Sequence, residues 1–297
     1  MSYFGSSRCI ENVNMIRYFL TVFGILHLTL AMSQSLSVMS YNIRLDTEAD
    51  GINRWANRTG RVVALIKKYN PDVFGVQEAL HNQMGDLQAG LGEYSFVGVG
   101  RDDGQEKGEY SAIFFKKEKF KIIQQGTFWL STTPQVAGSK SWDAAITRIV
   151  TWARFHDNAS GAEFVLANTH FDHLGKVARE NSATLIKGYF QGYMYGYGKN
   201  LPLIITGDFN SAPDELPYQT MIMGNDLALL DSRPATDHTG TFCGFEVNKM
   251  DCRTIDYIFH SQHWTTTQYH VIQDHDGKYY PSDHLPVLAT FIRKSEK

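Results

Sequence analysis

The 297-residue chain is 43% apolar and 20% charged, a composition that excludes disordered, collagen-like and coiled-coil proteins. Its formal net charge of −3 gives no support to a protein that binds a polyanion through bulk positive charge. Three cysteines are too few for a disulfide scaffold and lack zinc-ribbon spacing, so a metal site would need oxygen and nitrogen ligands.

The N-terminus has the features of a secretory signal. Arg17 precedes an apolar run over residues 18–32 that is short for a bilayer span, and small residues occupy positions −3 and −1 of a cleavage after Ser33. We predict a signal peptide over residues 1–33, with Met15 as the expected true start. The protein would then be secreted or periplasmic, without stable membrane insertion after cleavage. An uncleaved anchor and a buried first helix are the alternatives.

The remaining chain, residues 34–297, contains no repeat, low-complexity tract or linker, which predicts one domain. We expect this domain to be a monomer. Cys243 and Cys252 bracket a short turn, and in an oxidising compartment they could form a structural disulfide, which the sequence leaves open.

Hydrophobic periodicity gives the elements of the first half of the domain. A helix is predicted over residues 54–69, ended by Asn70-Pro71, and a second over residues 80–91. Alternating or continuous apolar runs predict strands at residues 36–43, 72–77, 94–100, 111–115, 121–130, 147–156 and 164–169.

The second half repeats this organisation. A long helix is predicted over residues 176–194, and it is followed by a short apolar strand that would be buried on both faces. The predicted strands are residues 201–206, 255–260, 265–272 and 285–292. Two halves of similar strand and helix order predict a layered α/β sandwich.

Polar residues, mostly acidic, follow the apolar strands at their ends. In an open α/β sheet such strand ends converge on a ligand crevice, so we predict one shared site. A single polar strand end would more simply cap a turn, but the feature recurs along the chain. The residues are Asn42, Glu78, His170, Asp208 and Asn210, joined by Ser282-Asp283-His284 before the last strand.

This set suits a hard divalent cation. Glu78, Asp208, Asp283 and the amide of Asn42 can supply oxygen ligands, whereas zinc would prefer more histidine or cysteine. Clustered carboxylates repel one another, and Mg²⁺ or Mn²⁺ would neutralise them. His284 can pair with Asp256, which would polarise the imidazole; a structural salt bridge is the alternative.

Six motifs in fixed order carry a family resemblance: Asn42, Gln77-Glu78, Asn168-Thr169-His170, Gly207-Asp208-Phe209-Asn210, Ile255-Asp256-Tyr257-Ile258 and Ser282-Asp283-His284. Over residues 36–293 the set resembles the endonuclease/exonuclease/phosphatase superfamily of metal-dependent phosphoester hydrolases. The resemblance implies an α/β (α+β) four-layer sandwich, in which two mixed sheets pack face to face with helices outside.

The resemblance also implies roles for individual residues. Glu78 would be the main metal ligand, with Asn42 and Asp283 close to the ion. The catalytic residues would be Asp208 to orient or deprotonate water, Asn210 to hold that water, His284 with Asp256 to stabilise the transition state, and His170 to contact the phosphate or assist the leaving group.

Four further residues are candidates for substrate binding. Arg148 could clamp a phosphate oxygen, with a surface ion pair as the alternative. Arg58 could face the site, with packing as the alternative; Tyr110, at a family strand start, could reach substrate. His173 follows His170 closely, and a zinc group of these two histidines with Asp172 is a less favoured interpretation.

The substrate class stays open at this level. The mature chain is acidic and presents no evident basic groove, which favours a small phosphorylated substrate, such as a sugar or lipid-headgroup phosphoester. A secreted nuclease that binds nucleic acid is the first alternative. A catalytically silent binding module on the same fold is the second.

Overall fold

Two six-stranded mixed β-sheets form the centre of the protein in the computed structural model. The structure describes residues 1–2, 35–197, 201–224, 227–247 and 251–294. The predicted signal peptide therefore lies outside the described residues, apart from its first two. In the part of the chain that is described, no helix is long and apolar enough to cross a membrane.

The strands, numbered along the chain, are β1 (Ser35–Asn42), β2 (Val73–Ala79), β3 (Tyr94–Val97), β4 (Tyr110–Lys116), β5 (Phe120–Trp129), β6 (Ile149–Asp157), β7 (Glu163–His170), β8 (Leu203–Asp208), β9 (Leu229–Asp231), β10 (Asp256–Ser261), β11 (Trp264–Val271) and β12 (Val287–Arg293). The α-helices are α1 (Trp55–Tyr69), α2 (His81–Gly90), α3 (Lys176–Tyr197) and α4 (Leu216–Ile222), and a 3-10 helix covers Glu48–Asn53.

The sheets have the orders β11-β12-β1-β2-β4-β3 and β5-β6-β7-β8-β10-β9. All the predicted helices and strands form, with ends that differ by up to three residues. The sequence did not predict α4, β9 or the 3-10 helix, because segments this short carry too few residues for a periodic pattern.

Three apolar clusters define the layers. One lies between the sheets and takes inward-facing residues from both, including Val38, Ile113, Phe155 and Ile258. The second packs α1 and α2 on the outer face of the first sheet, and the third packs α3 and α4 on the outer face of the other. The predicted four-layer α/β sandwich is confirmed.

Near one end of the interface between the sheets, buried amides replace apolar packing. Asn168 Nδ2 on β7 donates to the carbonyls of Val76 and Ala112 at 2.8 and 2.9 Å, and its Oδ1 accepts from Gln77 Nε2 at 2.6 Å. Gly75 leaves room for this network, since a Cβ there would lie 2.4 Å from Asn168 Oδ1. These buried hydrogen bonds from Asn168 join the two sheets and help to fix their relative position next to the site.

Candidate active site

The ends of two parallel strand pairs, one in each sheet, bring the predicted residues together. β1 and β2 are parallel and place Asn42 and Glu78 at one sheet edge. β7 and β8 are parallel in the other sheet, where His170 and Asp208 are register partners. A cavity of about 370 Å³ lies at these ends and is lined by residues of both sheets.

Three side chains at the base of the cavity could hold a metal ion. Glu78, Asp208 and His284 each offer one ligand atom, and these atoms lie within 4.8 Å of one another. Asn42 links the two carboxylates, because its Nδ2 is 3.0 Å from both Glu78 Oε1 and Asp208 Oδ2. Its Oδ1 accepts from the Arg44 amide at 3.0 Å. Asn42 therefore contacts the group as a hydrogen-bond donor, and the ligand role predicted for its oxygen stays a prediction.

Burial and neighbouring charges act in opposite directions on the pKa values of Glu78 and Asp283, the two carboxylates predicted to lie nearest the ion. Burial acts to raise the pKa of Glu78, but His284, the Asn42 amide and Arg44 outweigh it and lower that pKa. Burial raises the pKa of Asp283, and the nearby Glu78 adds to the effect. The surroundings therefore favour the charged form of Glu78 and disfavour that of Asp283.

Asp208 lies at the centre of the group. Its Oδ1 accepts from the Asn210 amide at 2.9 Å, and its Oδ2 lies 3.4 Å from His170 Nε2. Burial and the charge of Asp256 raise the pKa of Asp208 to about 7. A carboxylate whose pKa is close to neutral is suited to accept a proton from water.

His170 and Asn210 form a second layer around Asp208. Asn210 Nδ2 is 3.1 Å from His170 Nε2 and donates to the Phe171 carbonyl at 3.0 Å. Burial and the positive charge of Arg148 lower the pKa of His170 well below its usual value, so the imidazole is neutral. A neutral imidazole can accept the Asn210 hydrogen bond, which fixes both side chains.

His284 and Asp256 form the predicted pair. Nδ1 of His284 is 2.9 Å from Asp256 Oδ2, and Nε2 lies 3.7 Å from Asp208 Oδ2. Burial acts to lower the pKa of His284, but Asp256 and Asp208 outweigh it and raise that pKa well above the usual value. The imidazolium can therefore donate a hydrogen bond towards the cavity at neutral pH.

The four predicted substrate-binding residues divide into two groups. Arg148 and His173 line the cavity, and Arg148 Nη2 is 3.2 Å from His173 Nδ1. Tyr110 does not line it, since its hydroxyl contacts His81 Nδ1 and donates to the Gln105 carbonyl, both at 3.1 Å.

Arg58 also lies outside the cavity lining. It is fully buried, and its guanidinium donates to the carbonyls of Ile43, Arg44 and Pro281. It also lies over the Trp55 ring, 5.0 Å from the ring centroid. The contacts of Arg58 are therefore those of a packing residue, the alternative given above. Its guanidinium N–H groups donate to main-chain carbonyls of the loop after β1.

The zinc interpretation has no support in the geometry. Asp172 is buried and its carboxylate accepts from the backbone amides of Ala145, Ile146, Leu174 and Gly175. These bonds use its oxygens to connect two loops. Within the described residues, Glu78, Asp208 and His284 form the group of three or more histidine, cysteine, aspartate or glutamate side chains that could hold an ion. This group contains neither Asp172 nor His173.

Sequence reasoning missed several residues of the cavity wall: Arg44, Glu109, Phe242 and Arg253. They lie in or beside loops, where periodicity carries no signal. Backbone conformation is a better marker, because Arg44, Glu78 and Asn210 are non-glycine residues with positive φ values of 59°, 64° and 46°. Such strained backbone clusters at functional sites.

A disulfide fixes one wall of the cavity. Cys243 and Cys252 are bonded, and Phe242 pairs with both Arg253 and His284 in isolated antiparallel bridges. The Phe242 ring lies 4.8 Å from the His284 ring, centroid to centroid. The disulfide that the sequence left open therefore forms, and it holds two cavity-lining residues next to His284.

Replacing both cysteines with alanine should loosen this wall. We expect the free energy of unfolding to fall by about 2–3 kcal/mol, because the unfolded chain loses a cross-link. We also expect KM to rise several-fold while kcat changes less, since Phe242 and Arg253 lose their fixed position. Urea denaturation and steady-state kinetics of the double variant measure both effects; an unchanged KM would contradict the assigned role.

Two packed sheets carry a buried group of carboxylate and histidine side chains at one edge. The chain belongs to the endonuclease/exonuclease/phosphatase family, whose model matches residues 39–284, and this membership makes it a hydrolase of phosphoester bonds. The predicted family membership is confirmed.

Three similar proteins cover different shares of the chain. A family member of known structure from Bacteroides thetaiotaomicron is 38% identical, with a TM-score of 0.82 over 89% of this chain and 99% of that chain. A mannosyl-6-phosphatase from Bacteroides thetaiotaomicron is 38% identical, with a TM-score of 0.80 over 86% of this chain and 99% of that chain. Nocturnin from Drosophila melanogaster is 27% identical over 246 residues, which are 70% of this chain but 36% of nocturnin.

Proposed function

We propose that this protein is an exported, divalent-metal-dependent phosphoester hydrolase that acts as a monomer on a small phosphorylated substrate, of which a sugar phosphate is the favoured class. The observation that carries the proposal is the buried group of Glu78, Asp208 and His284, with Asp283 beside it, at the base of the cavity.

The donor set supports Mg²⁺ or Mn²⁺ as the ion. The residues that would hold it are Glu78 and Asp283, which offer carboxylate oxygens, and hard cations prefer these. Burial is the first cause of the raised pKa values of Asp208 and Asp283, and a bound cation would lower both by favouring the charged carboxylates. A bound ion would supply Lewis-acid stabilisation of the charge on the phosphoryl oxygens.

The remaining residues can perform the other parts of phosphoryl transfer, which depends on positioning and charge stabilisation. Asp208 would orient the attacking water and accept its proton at Oδ2. Asn210 would hold that water through its side-chain amide. The His284 imidazolium, held by Asp256, would donate a hydrogen bond to a phosphoryl oxygen, and His170 would contact the phosphate or the leaving group.

Two observations support a sugar phosphate over a nucleic acid. The similar mannosyl-6-phosphatase covers nearly the whole domain at 38% identity. The cavity, at about 370 Å³, is near the lower end of ligand-site volumes, which suits a small substrate better than a polymer.

Export is supported by features that are independent of the site. The apolar run over residues 18–32 has the length of a signal-peptide core. The Cys243–Cys252 disulfide is of a kind that persists in oxidising compartments and is rare in reducing ones. Expression of the full chain in its host, followed by cell fractionation and N-terminal sequencing, tests both export and cleavage after Ser33.

The substrate is tested by a screen with and without Mn²⁺ or Mg²⁺. The substrates are hexose 6-phosphates, glycerol phosphates, nucleotides, a nitrophenyl phosphodiester, and single- and double-stranded oligonucleotides. We expect metal-dependent release of phosphate from sugar phosphates. Preferential cleavage of oligonucleotides would replace the proposal with a nuclease, and ligand binding without turnover would replace it with a silent binding module.

A further inference from the structure

Arg44 is a cationic neighbour of the candidate metal site that the proposed chemistry has not used. Its Nη1 is 3.9 Å from Glu78 Oε2, and its Nε is 3.9 Å from Asp283 Oδ2. These distances allow attraction between the charges but are too long for hydrogen bonds. Arg44 therefore compensates the charge of both carboxylates without occupying the oxygens that an ion would need.

The Arg44 guanidinium is held in a fixed position. Asp50 accepts from Arg44 Nε at 3.0 Å and from Nη2 at 2.9 Å, which leaves Nη1 on the side of Glu78 and the cavity. The backbone of Arg44 has a left-handed φ of 59°. It is held there because its amide donates to Asn42 Oδ1 and its carbonyl accepts from Gln83 Nε2. These hydrogen bonds hold Arg44 in a strained backbone conformation, and this conformation places its side chain beside the two carboxylates.

This arrangement bears on how many ions the site can hold. Two-ion phosphoester hydrolases place their ions roughly 3.5–4 Å apart, where together they stabilise the attacking and leaving oxygens. On the side of the site formed by Glu78 and Asp283, the Arg44 guanidinium already places a fixed positive charge within 4 Å of both carboxylates. A second divalent ion on that side would be repelled by the guanidinium, and salt would screen the repulsion little because the carboxylates are buried.

We propose that Arg44 is the second cation of this site. The protein binds one divalent ion, and the Arg44 guanidinium supplies the positive charge that a second ion supplies in two-ion hydrolases. Nη1 is placed to donate a charge-assisted hydrogen bond to a phosphoryl oxygen in the cavity. The inference rests on the proposed metal-dependent function and adds the number of ions and the residue that sets it.

The test is calorimetric titration of the full chain with Mn²⁺. Wild type should bind one ion. Arg44→Gln should bind two, because the repulsion by the guanidinium is removed. Arg44→Lys keeps the charge and should bind one ion. Arg54→Gln is the matched control, since Arg54 lies in the same loop but is exposed and pairs with Glu48 at 3.1 Å; it should titrate like wild type.

Kinetics provide a second measurement. Activity should depend on Mn²⁺ concentration with a Hill coefficient near one in wild type and above one in Arg44→Gln, whose kcat should fall about tenfold or more at low Mn²⁺ and partly recover at high Mn²⁺.

The outcomes are distinguishable. Two ions in wild type, or an Arg44→Gln isotherm identical to that of wild type, would overturn the role of Arg44 while leaving metal-dependent hydrolysis intact. No Mn²⁺ binding by wild type would overturn the metal-dependent function itself. Two ions in wild type would overturn the proposal even if circular dichroism shows that Arg44→Gln is unfolded.

Discussion

Replacing Glu78 with glutamine should lower kcat/KM by about 10³-fold or more, which would be among the largest effects of any single substitution in this protein. Glu78 ends β2 and directs one oxygen to the Asn42 amide and the other to the Leu45 amide, at 3.0 and 3.1 Å. Glutamine keeps the size of the side chain but removes the charge that would hold the ion. We therefore expect loss of metal affinity, with a smaller loss of stability because the glutamine NH₂ cannot accept one of these two hydrogen bonds.

Calorimetry with Mn²⁺ measures this effect directly, and we expect affinity to fall by at least about 100-fold. Glu109→Gln is the matched control, because Glu109 is a second acidic residue of the cavity wall whose charge pairs with Arg101 at 2.6 Å. Its Mn²⁺ affinity should remain close to that of wild type. Undiminished Mn²⁺ binding by Glu78→Gln would refute the assignment of Glu78 as the main ligand.

Replacing Asp208 with asparagine should separate catalysis from stability. We expect kcat to fall by about 10³-fold or more, because an amide cannot accept the proton of the attacking water. At the same time the metal-free protein should become more stable at neutral pH. The reason is that burial beside Asp256 makes the charged form of Asp208 unfavourable in the folded state.

The sign of the pH dependence follows from the raised pKa. Asp208 has a pKa of about 7 in the folded protein against a usual value of 3.8, so the folded state binds one more proton between these values. The stabilisation is complete below about pH 4 and is lost as pH rises through about 7. In EDTA at pH 8, Asp208→Asn should exceed wild type by about 1–3 kcal/mol in unfolding free energy, and the difference should shrink at pH 5.

Urea denaturation at the two pH values, with and without Mn²⁺, checks this prediction. Mn²⁺ should stabilise wild type by binding the folded state and should stabilise Asp208→Asn less. A variant that is less stable than wild type in EDTA at pH 8 would show that the carboxylate contributes more through its hydrogen bonds to Asn42 and Asn210 than it costs as a buried charge.

The elements and the chemical centre of the site could be read from the sequence because both follow from local patterns. Apolar periodicity marked the strands and helices, and the change from apolar to polar residues marked the strand ends at Glu78, His170 and Asp208. Parallel pairing then brings such ends to one edge, as β7 and β8 do for His170 and Asp208. The pairing of His284 with Asp256 was also predicted, because a lone carboxylate within an apolar strand needs a partner.

The direction of individual side chains could not be read in this way. Arg58 and Arg148 are both arginines next to the predicted site, yet Arg58 is turned to main-chain carbonyls while Arg148 lines the cavity. Asn42 directs its NH₂ group between two carboxylates, a contact that the sequence did not predict, and the role predicted for its oxygen stays a prediction. These differences depend on partners distant in the chain, such as Pro281 for Arg58, and no local pattern specifies them.

By itself, the sequence determined the layered sandwich, the family and the carboxylate and histidine group, because burial patterns and residue types at strand ends are local properties. Only the tertiary structure decided which loops complete the cavity. It brought in Arg44 with a left-handed backbone, Glu109 paired with Arg101, and Arg253 on the disulfide-linked segment. Loop positions are set by long-range hydrogen bonds and charge pairs, and these exist only after the two sheets have packed together.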